Sequence, residues 1–190
     1  MDVKTKILKA GAKIVLEKGF FDTGLAEVLA AAKIPKGSFY FYFKNKEDFG
    51  LHLIDYFAER LMASTSKIYR DESLPYIERI RSVYGRQAEA FSKGDYKGGC
   101  PIGNLAIEMG DRNDRFRTKL NQVLETMKKR LAGHLARAQE LGQIKTRIDI
   151  NQCANFIISS WEGALMQMKV QKSKSPHEIF DKMIFGQLLR

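Results

Sequence analysis

Apolar residues recur every three or four positions along almost the whole chain, and this spacing limits the folds the sequence can adopt. Such spacing places side chains on one face of an α-helix, whereas a half-buried strand needs alternation, which is almost absent. The four prolines, Pro35, Pro75, Pro101 and Pro176, stand where the helical pattern breaks, as expected of a residue without a backbone donor. We therefore predict an all-α protein of about nine helices, at positions 3–18, 24–31, 36–43, 46–70, 74–92, 104–109, 114–141, 150–171 and 176–189.

The first fifty residues contain short helices, and the later helices are longer. Gly19 ends the first helix, and Thr23 is predicted to be the N-cap of the second helix because its hydroxyl can accept an orphan backbone N–H. Asn45 is predicted to cap the fourth helix, with Asp48 at its third position. This change in helix length predicts an amino-terminal three-helix domain, residues 1–48, and a larger helical domain, residues 49–190.

Composition excludes several classes of protein. A chain of 190 residues with 44% hydrophobic and 28% charged residues can build a core without disulfides or metals. No apolar run approaches the roughly 18 residues that span a bilayer, and the first residues do not resemble a signal peptide, so a cytoplasmic protein with no membrane partner is expected. Two cysteines are too few for a disulfide framework. The net charge of +10 suggests an anionic partner such as nucleic acid, or a device for solubility.

The segment from Lys33 to Lys46 has the composition of a DNA-binding surface. It contains four lysines, at positions 33, 36, 44 and 46, and no acidic residue. Lysines attract phosphates, and two short helices joined by a tight turn form the helix-turn-helix layout, whose second helix enters the major groove. Helical spacing predicts that Phe39 and Phe43 belong to the core and that Tyr40 lies on the opposite, exposed side. The alternative is an aromatic core helix with a solvated rim of lysines.

This region strongly resembles the TetR family of bacterial transcriptional repressors. The resemblance covers about residues 3–52 and is carried by Gly19-Phe20, Thr23, positions 25–32, positions 34–43 and positions 44–48. It implies that Thr23 caps the second helix and binds phosphate, and that Tyr42 and Lys46 also bind phosphate. It further implies that four residues face the groove of double-stranded operator DNA, namely Lys36, Gly37, Ser38 and Tyr40. Positions 24–26 lack the polar residues often found there, so base readout should depend mostly on the third helix.

The resemblance also implies a carboxy-terminal domain that binds a small-molecule effector of unknown identity and pairs with a second copy. Apolar faces that fit a homodimer interface occur on the last two long helices, at Ile157, Trp161, Leu165, Ile184 and Leu188, although a core helix would have the same pattern. Two-fold symmetry would match paired DNA half-sites. Candidates for the effector pocket, each of which could equally be a plain core residue, are Phe57, Tyr84, Phe91, Cys100, Asn104, Met109, Trp161 and Met166.

Positions 98–108 read Gly-Gly-Cys-Pro-Ile-Gly-Asn-Leu-Ala-Ile-Glu. The two outer glycines, Gly98 and Gly103, have phosphate-loop spacing, but Asn-Leu replaces the required Lys-Ser/Thr. The segment resembles a pattern in a TetR subgroup, some members of which use a cysteine to sense electrophiles or oxidants. Cys100 would lie just before a short helix, where the helix dipole favours a thiolate. A redox or electrophile sensor is one interpretation, and a structural or pocket-lining cysteine is the other.

These features favour a sequence-specific DNA-binding regulator, most simply a repressor that an effector or cysteine modification releases from its operator. The three histidines, His52, His134 and His177, stand alone without metal-ligand spacing or a nucleophile motif, so neither an enzyme nor a metal site or cofactor is expected. Two alternatives stay open: a non-specific or architectural DNA-binding protein, and an activator of the same fold.

Overall fold

The computed structural model describes residues 2–190, and this part of the chain is helical and contains no strand. The all-α prediction is therefore confirmed. The α-helices of this part are α1 (Val3–Lys18), α2 (Leu25–Ala32), α3 (Lys36–Tyr42), α4 (Lys46–Tyr69), α5 (Tyr76–Lys93), α6 (Pro101–Met109), α7 (Asp114–Glu140), α8 (Ile150–Gln171) and α9 (Ser175–Met183). A π-helical segment, Ile184–Leu188, follows α9.

The chain forms two compact units. We call the first the head unit; it comprises the chain up to Leu61 together with Pro101–Val123. We call the second the body unit; it comprises Met62–Cys100 and Leu124–Arg190. The division falls inside α4 and α7 rather than in a linker. The compact units therefore do not follow the division at residue 48 that we drew from helix length, because α6 and the start of α7 pack with the first helices.

An aromatic core holds the head unit together. Phe39, Phe43 and Phe49 expose at most 1% of their surface, and their ring centroids lie 5.1–5.9 Å apart. Phe116 of α7 is fully buried against Phe20, with centroids 5.0 Å apart. The prediction that Phe39 and Phe43 belong to the core is confirmed. Offset and edge-on aromatic pairs of this kind add to the stabilisation from burial alone.

The body unit is built on a larger apolar core from α5, α7, α8 and α9. At its centre, the rings of Tyr84, Trp161 and Phe180 contact one another at centroid distances of 5.1–5.2 Å. Burial raises the pKa of Tyr84 well above its ordinary value. This cluster joins α5, α8 and α9, so it fixes the face that each of these helices turns inward.

A buried arginine connects α4 to α5 within the body unit. Arg79 exposes 8% of its surface, and its guanidinium donates to the carbonyl oxygens of Leu74 (2.8 Å) and Tyr69 (3.3 Å). Burial raises the pKa of Tyr69 to about 12, and the ring of His134 stacks flat on the Tyr69 ring at 3.9 Å. The arginine thus satisfies a carbonyl at the end of α4 that has no partner within its own helix.

The helix ends agree with the sequence prediction to within two residues, except at the start of α6 and the end of α9, and the cap of α2 also differs. The second helix has Gly24 at its N-cap and no side-chain capping bond, so the prediction that Thr23 caps it is wrong. Helix α6 begins at Pro101 rather than at 104, because proline is well suited to the first helical position. The predicted final helix is interrupted at Met183, after which hydrogen bonding changes to the i→i+5 pattern, as in the bond from the Leu189 N–H to the Ile184 carbonyl.

Within residues 2–190, no helix combines the length and apolar character needed to cross a membrane.

Candidate nucleic-acid interface

A left-handed residue forms the tight turn between α2 and α3. Lys33 adopts φ 58°, and the N–H of Ile34 donates to the carbonyl of Leu29 at 3.0 Å. This is the hydrogen-bond pattern of a Schellman C-cap, in which a left-handed residue ends the helix. Ile34 and Pro35 then lead directly into α3, so the turn gives the two helices the helix-turn-helix arrangement that the sequence predicts.

The outer face of α3 consists of exposed side chains. Lys36, Gly37 and Tyr40 are exposed as predicted, and Tyr40 exposes 57% of its surface. Ser38 and Tyr42 are half-buried. Phe39 is fully buried on the opposite face and fixes the rotation of α3 about its axis. The outer residues of α3 therefore stay available to a partner.

Phe41 belongs to the same outer face and was not among the predicted site residues. It exposes 83% of its surface. The helical period gives the signal that could have found it, because position 41 lies four residues after Gly37 and two after the buried Phe39. The run of five aromatic residues at 39–43 hid that signal, because every residue in it is of a type that is often buried.

Thr23 does not face outward. It exposes 2% of its surface, and its hydroxyl donates to the Gly19 carbonyl at 2.6 Å. The hydroxyl therefore closes the end of α1 rather than the start of α2. Since the single hydroxyl proton is used inside the protein, the structure argues against the predicted phosphate contact of Thr23 as well.

Lys46 contacts the turn between α1 and α2. Its ammonium donates to the carbonyl oxygen of Phe21 at 2.8 Å and lies 5.1 Å from the centre of the Phe20 ring. Burial lowers the pKa of Lys46, and the neighbouring carboxylates of Glu108 and Asp22 act in the opposite direction. An ammonium has three donors, so two remain for a phosphate.

The carboxylate of Glu108 holds the same turn from α6. Its oxygens accept the backbone N–H of Phe20 at 2.9 Å and of Phe21 at 2.7 Å. Gly19, with φ 89°, lies so close that a Cβ there would approach a Glu108 oxygen to 2.9 Å. Two side chains therefore hold the turn before the helix-turn-helix: Glu108 of α6 accepts two of its N–H groups, and Lys46 donates to one of its carbonyl groups. Sequence reasoning missed this role of Glu108 because its partners lie almost ninety residues away.

The start of α4 is capped as predicted. The N–H of Asp48 donates to the side-chain oxygen of Asn45 at 2.8 Å, and the Asp48 carboxylate accepts the N–H of Lys44 at 2.9 Å. Such reciprocal bonds satisfy donors that a helix start leaves unpaired. They also fix the connection from α3 to α4, so the outer face of α3 is held at both of its ends.

Four of the predicted pocket residues lie in the core of the body unit or beside it. Tyr84, Phe91 and Trp161 are buried, and Cys100 is half-buried. The Cys100 thiol hydrogen-bonds to the carboxylate of Glu162, whose pKa is raised by burial. The half-buried carboxyl group of Glu162 beside a thiol is a polar element at an apolar core, and no local sequence pattern pointed to it.

The other pocket candidates are placed differently. Phe57 and Met109 are buried, and Asn104 is exposed, all three in the head unit. Met166 exposes 59% of its surface, so its predicted place in an apolar pocket is wrong. It lies on the outer side of α8 because the inner side is already filled by residues such as Trp161.

The predicted dimer residues also require correction. Ile157, Trp161, Leu165 and Ile184 each expose less than a tenth of their surface within one chain, and only Leu188 is half-buried. They form the core of the body unit, so a second copy cannot use them as its main contact surface. The exposed apolar residues of the same two helices lie on the opposite side, namely Phe156, Met166, Val170, Ile179 and Met183.

Comparison with known proteins decides the family. Residues 7–52 match the family described as bacterial regulatory proteins of the tetR family, and residues 77–184 match the tetracyclin repressor-like C-terminal domain. The chain belongs to the TetR family. It is a DNA-binding regulator of transcription, and the family and the named relatives are regulators rather than enzymes.

Several relatives are similar over nearly their whole length. The HTH-type transcriptional repressor DhaR of a Mycobacterium species is 30% identical over 98% of this chain and 92% of its own. The transcriptional regulator AcuR of Cereibacter sphaeroides is 35% identical over 93% of this chain and 80% of its own. A crystal structure of a TetR regulatory protein from Rhodobacter sphaeroides superposes with a TM-score of 0.90 at 34% identity, covering 98% of both chains. The reduced form of Escherichia coli NemR superposes with a TM-score of 0.85 at 27% identity, covering 94% of this chain and 93% of NemR.

Proposed function

We propose that this TetR-family regulator binds operator DNA with the outer face of α3 and that it acts as a repressor in the cytoplasm, where bacterial DNA lies. The observation that carries the proposal is the exposed surface of Lys36, Gly37 and Tyr40 on a helix held by a buried Phe39. Ser38, Tyr42 and Lys46 border this surface and complete the proposed contact set. The named repressors among the relatives support the direction of regulation.

Two variants test this DNA interface. Tyr40→Ala should abolish binding in a gel-shift titration with a duplex that the wild-type protein selects from a random pool, while the protein keeps its fold. Lys36→Ala should weaken binding to all sequences alike and lower the slope of log K against log salt by about one. Lys129→Ala, an exposed lysine of the body unit, is the matched control and should leave both unchanged. Unchanged affinity of Tyr40→Ala would contradict the proposal.

The same titration separates the alternatives. A non-specific or architectural binder would show a steep salt dependence and select no sequence from the pool. An activator of the same fold would select a sequence but raise transcription from a template that carries it. In vitro transcription from that template, with and without the protein, distinguishes repression from activation.

A homodimer is part of the proposal, with an interface on the outer side of α8 and α9. Phe156, Met166 and Val170 lie on one side of α8, since 3.6 residues complete a turn, and the space around Gly163 on that side is open. Phe156→Glu should convert the dimer to monomer in analytical ultracentrifugation, because a charge would be buried in the interface. Ile107→Glu, which changes an 85% exposed isoleucine on α6, is the control. A dimer that Phe156→Glu leaves intact would contradict this interface.

We propose that the chain belongs to the TetR subgroup with the Gly-Cys-Pro-x-Gly-Asn-Leu-Ala motif. We also propose that release from the operator begins near Cys100, which lies in this motif. Cys100 immediately precedes α6, whose Glu108 binds the turn at Phe20 and Phe21. A change at the thiol or at its partner Glu162 therefore acts on the first residue of a helix that contacts the helix-turn-helix. An effector bound beside the cluster of Tyr84 and Trp161 would act at the same place. Escherichia coli NemR, to which this chain is similar, was crystallised in a reduced form, and this supports a redox test of Cys100.

The two cysteines provide a test with an internal control. N-Ethylmaleimide should release wild-type protein and Cys153→Ser from fluorescent operator DNA in an anisotropy assay, whereas Cys100→Ser should stay bound. Cys153 is buried, and burial raises the pKa of its thiol, so it should react slowly. Release of Cys100→Ser to the same extent as wild type would contradict the sensor and leave effector binding as the route of release.

A further inference from the structure

Phe41 is a highly exposed apolar side chain on α3, the helix proposed to face DNA. It exposes 83% of its surface, compared with 57% for Tyr40 on the same helix and 63% for Phe21 elsewhere in the head unit. The phenyl ring makes no contribution to the head core, which Phe39 and Phe43 fill from the other side of α3. The residue is therefore available for contact with a partner.

The space beside Phe41 is open. Gly37 lies one turn earlier on the same face, and a Cβ at Gly37 would meet no atom within 4 Å. Lys36 and Tyr40 flank this position and are exposed as well. A group approaching α3 from outside can therefore reach the face of the Phe41 ring over the glycine.

The ring is also held by a neighbour. The ring of Tyr42 meets it edge-on, with centroids 4.9 Å apart and an interplanar angle of 81°. Tyr42 itself is half-buried and lies 6.5 Å from the fully packed ring of Phe43. A chain of aromatic contacts thus supports Phe41, so that less conformational entropy is lost when a ligand binds it.

A phenyl ring has no hydrogen-bond donor or acceptor, so it cannot read the polar edges of bases. The one apolar group that a base pair presents in the major groove is the 5-methyl of thymine. We propose that Phe41 contacts thymine methyl groups and makes thymine a preferred base in each half-site of the operator. This inference rests on α3 entering the major groove, which is the proposed mode of DNA binding.

The lysines around the ring explain why the contact would be to a base rather than to a neighbouring protein surface. Lys33, Lys36 and Lys44 are exposed, and no acidic residue occurs between positions 33 and 46. Such a rim attracts phosphates on both sides of a groove and leaves the centre of α3 over the base edges.

The test compares thymine with uracil, which lacks only the methyl group. A duplex that wild-type protein selects from a random pool is synthesised with each thymine of the half-sites replaced in turn by deoxyuridine. Affinities are measured by fluorescence anisotropy for wild type, Phe41→Leu, Phe41→Ala and Ile107→Ala, a matched control that changes an 85% exposed apolar side chain of the head unit. Thermal unfolding followed by circular dichroism checks the fold, which should be unchanged because the Phe41 ring is outside the core.

We expect one or two uracil replacements to weaken wild-type binding by about fourfold each, the effect of removing one buried methyl group. Phe41→Ala should bind the all-thymine duplex more weakly and show no further loss with uracil. Phe41→Leu should keep part of the thymine preference, and Ile107→Ala should behave as wild type.

Two results would overturn the inference about Phe41, and a third would overturn the proposed operator recognition as well. Phe41→Ala with the wild-type sensitivity to uracil would show that the ring contacts something other than the methyl group. Wild-type affinity of Phe41→Ala would show that the ring makes no contact with DNA. Failure of the wild-type protein to select any sequence would overturn operator recognition itself, which separates the proposed function from the role of Phe41.

Discussion

Replacing Glu108 by glutamine tests the contact between α6 and the turn before the helix-turn-helix. The carboxylate accepts two backbone N–H groups, from Phe20 at 2.9 Å and Phe21 at 2.7 Å. Glutamine has one acceptor oxygen and places an NH₂ group where the second oxygen was, so one of the two donors would face another donor. Gly19 lies against this carboxylate, where a Cβ would approach a Glu108 oxygen to 2.9 Å, so the turn has little room to rearrange.

The expected cost follows from the kind of bond that is lost. A hydrogen bond to a charged group contributes about 1.5–3 kcal/mol and a neutral one about 1 kcal/mol. Glu108→Gln removes one charged bond and converts the other into a neutral one, so the free energy of unfolding should fall by about 2–5 kcal/mol. Operator affinity should fall as well, because the turn that positions α2 and α3 loses its attachment to α6.

Urea unfolding and anisotropy titration with the selected duplex measure the two effects. Glu17→Gln, at an exposed position of α1, changes the net charge equally and is the control. A loss of stability for Glu108→Gln within about 0.5 kcal/mol of the control would refute the reasoning, since surface substitutions of no structural importance fall in that range.

Gly50→Ala should destabilise the protein by about 1–3 kcal/mol in urea unfolding despite the better helix propensity of alanine, because the new methyl group would collide with the rings of Phe20 and Phe116. Asn45→Ala should cost about 1 kcal/mol in the same assay by removing the cap of α4, and Asn45→Asp should restore most of it. Burial lowers the pKa of His134 in the folded protein below its ordinary value of 6.5, with Arg130 and Arg79 as further causes. Because the unfolded chain then binds a proton more readily than the folded protein, the free energy of unfolding is highest above this ordinary value and falls as the pH drops from there towards the lowered pKa. The urea midpoint should therefore drop more for wild type than for His134→Gln between about pH 7.5 and about pH 5.5, and equal drops would contradict this.

Much of the head could be predicted from sequence because local interactions determine it. The helical period places Phe39 and Phe43 on one face of α3 and Tyr40 on another, and the cap at Asn45 joins residues three positions apart. Where local signals compete, prediction failed. Thr23 has the side chain of an N-cap, yet its hydroxyl donates to Gly19 one turn earlier, because that carbonyl ends α1 and needs a donor.

The body shows the limit of periodicity. The sequence indicates that α8 carries apolar residues, but both of its sides do so: Ile157 and Trp161 on one, Phe156 and Met166 on the other. Hydrophobicity is non-directional, so the pattern does not tell which side meets the core and which is left for a partner. Packing of Trp161 against Tyr84 and Phe180 decides it.

By itself, the sequence determined that the chain is all-α, that it begins with a helix-turn-helix and that α3 turns an acid-free surface outward, because helical period, caps and charge act over short distances. Only the tertiary structure decided that Glu108 binds the turn at Phe20 and Phe21, and that Cys100 contacts Glu162. These partners are separated by more than sixty residues, and no local pattern specifies contacts that form only when the whole chain is folded.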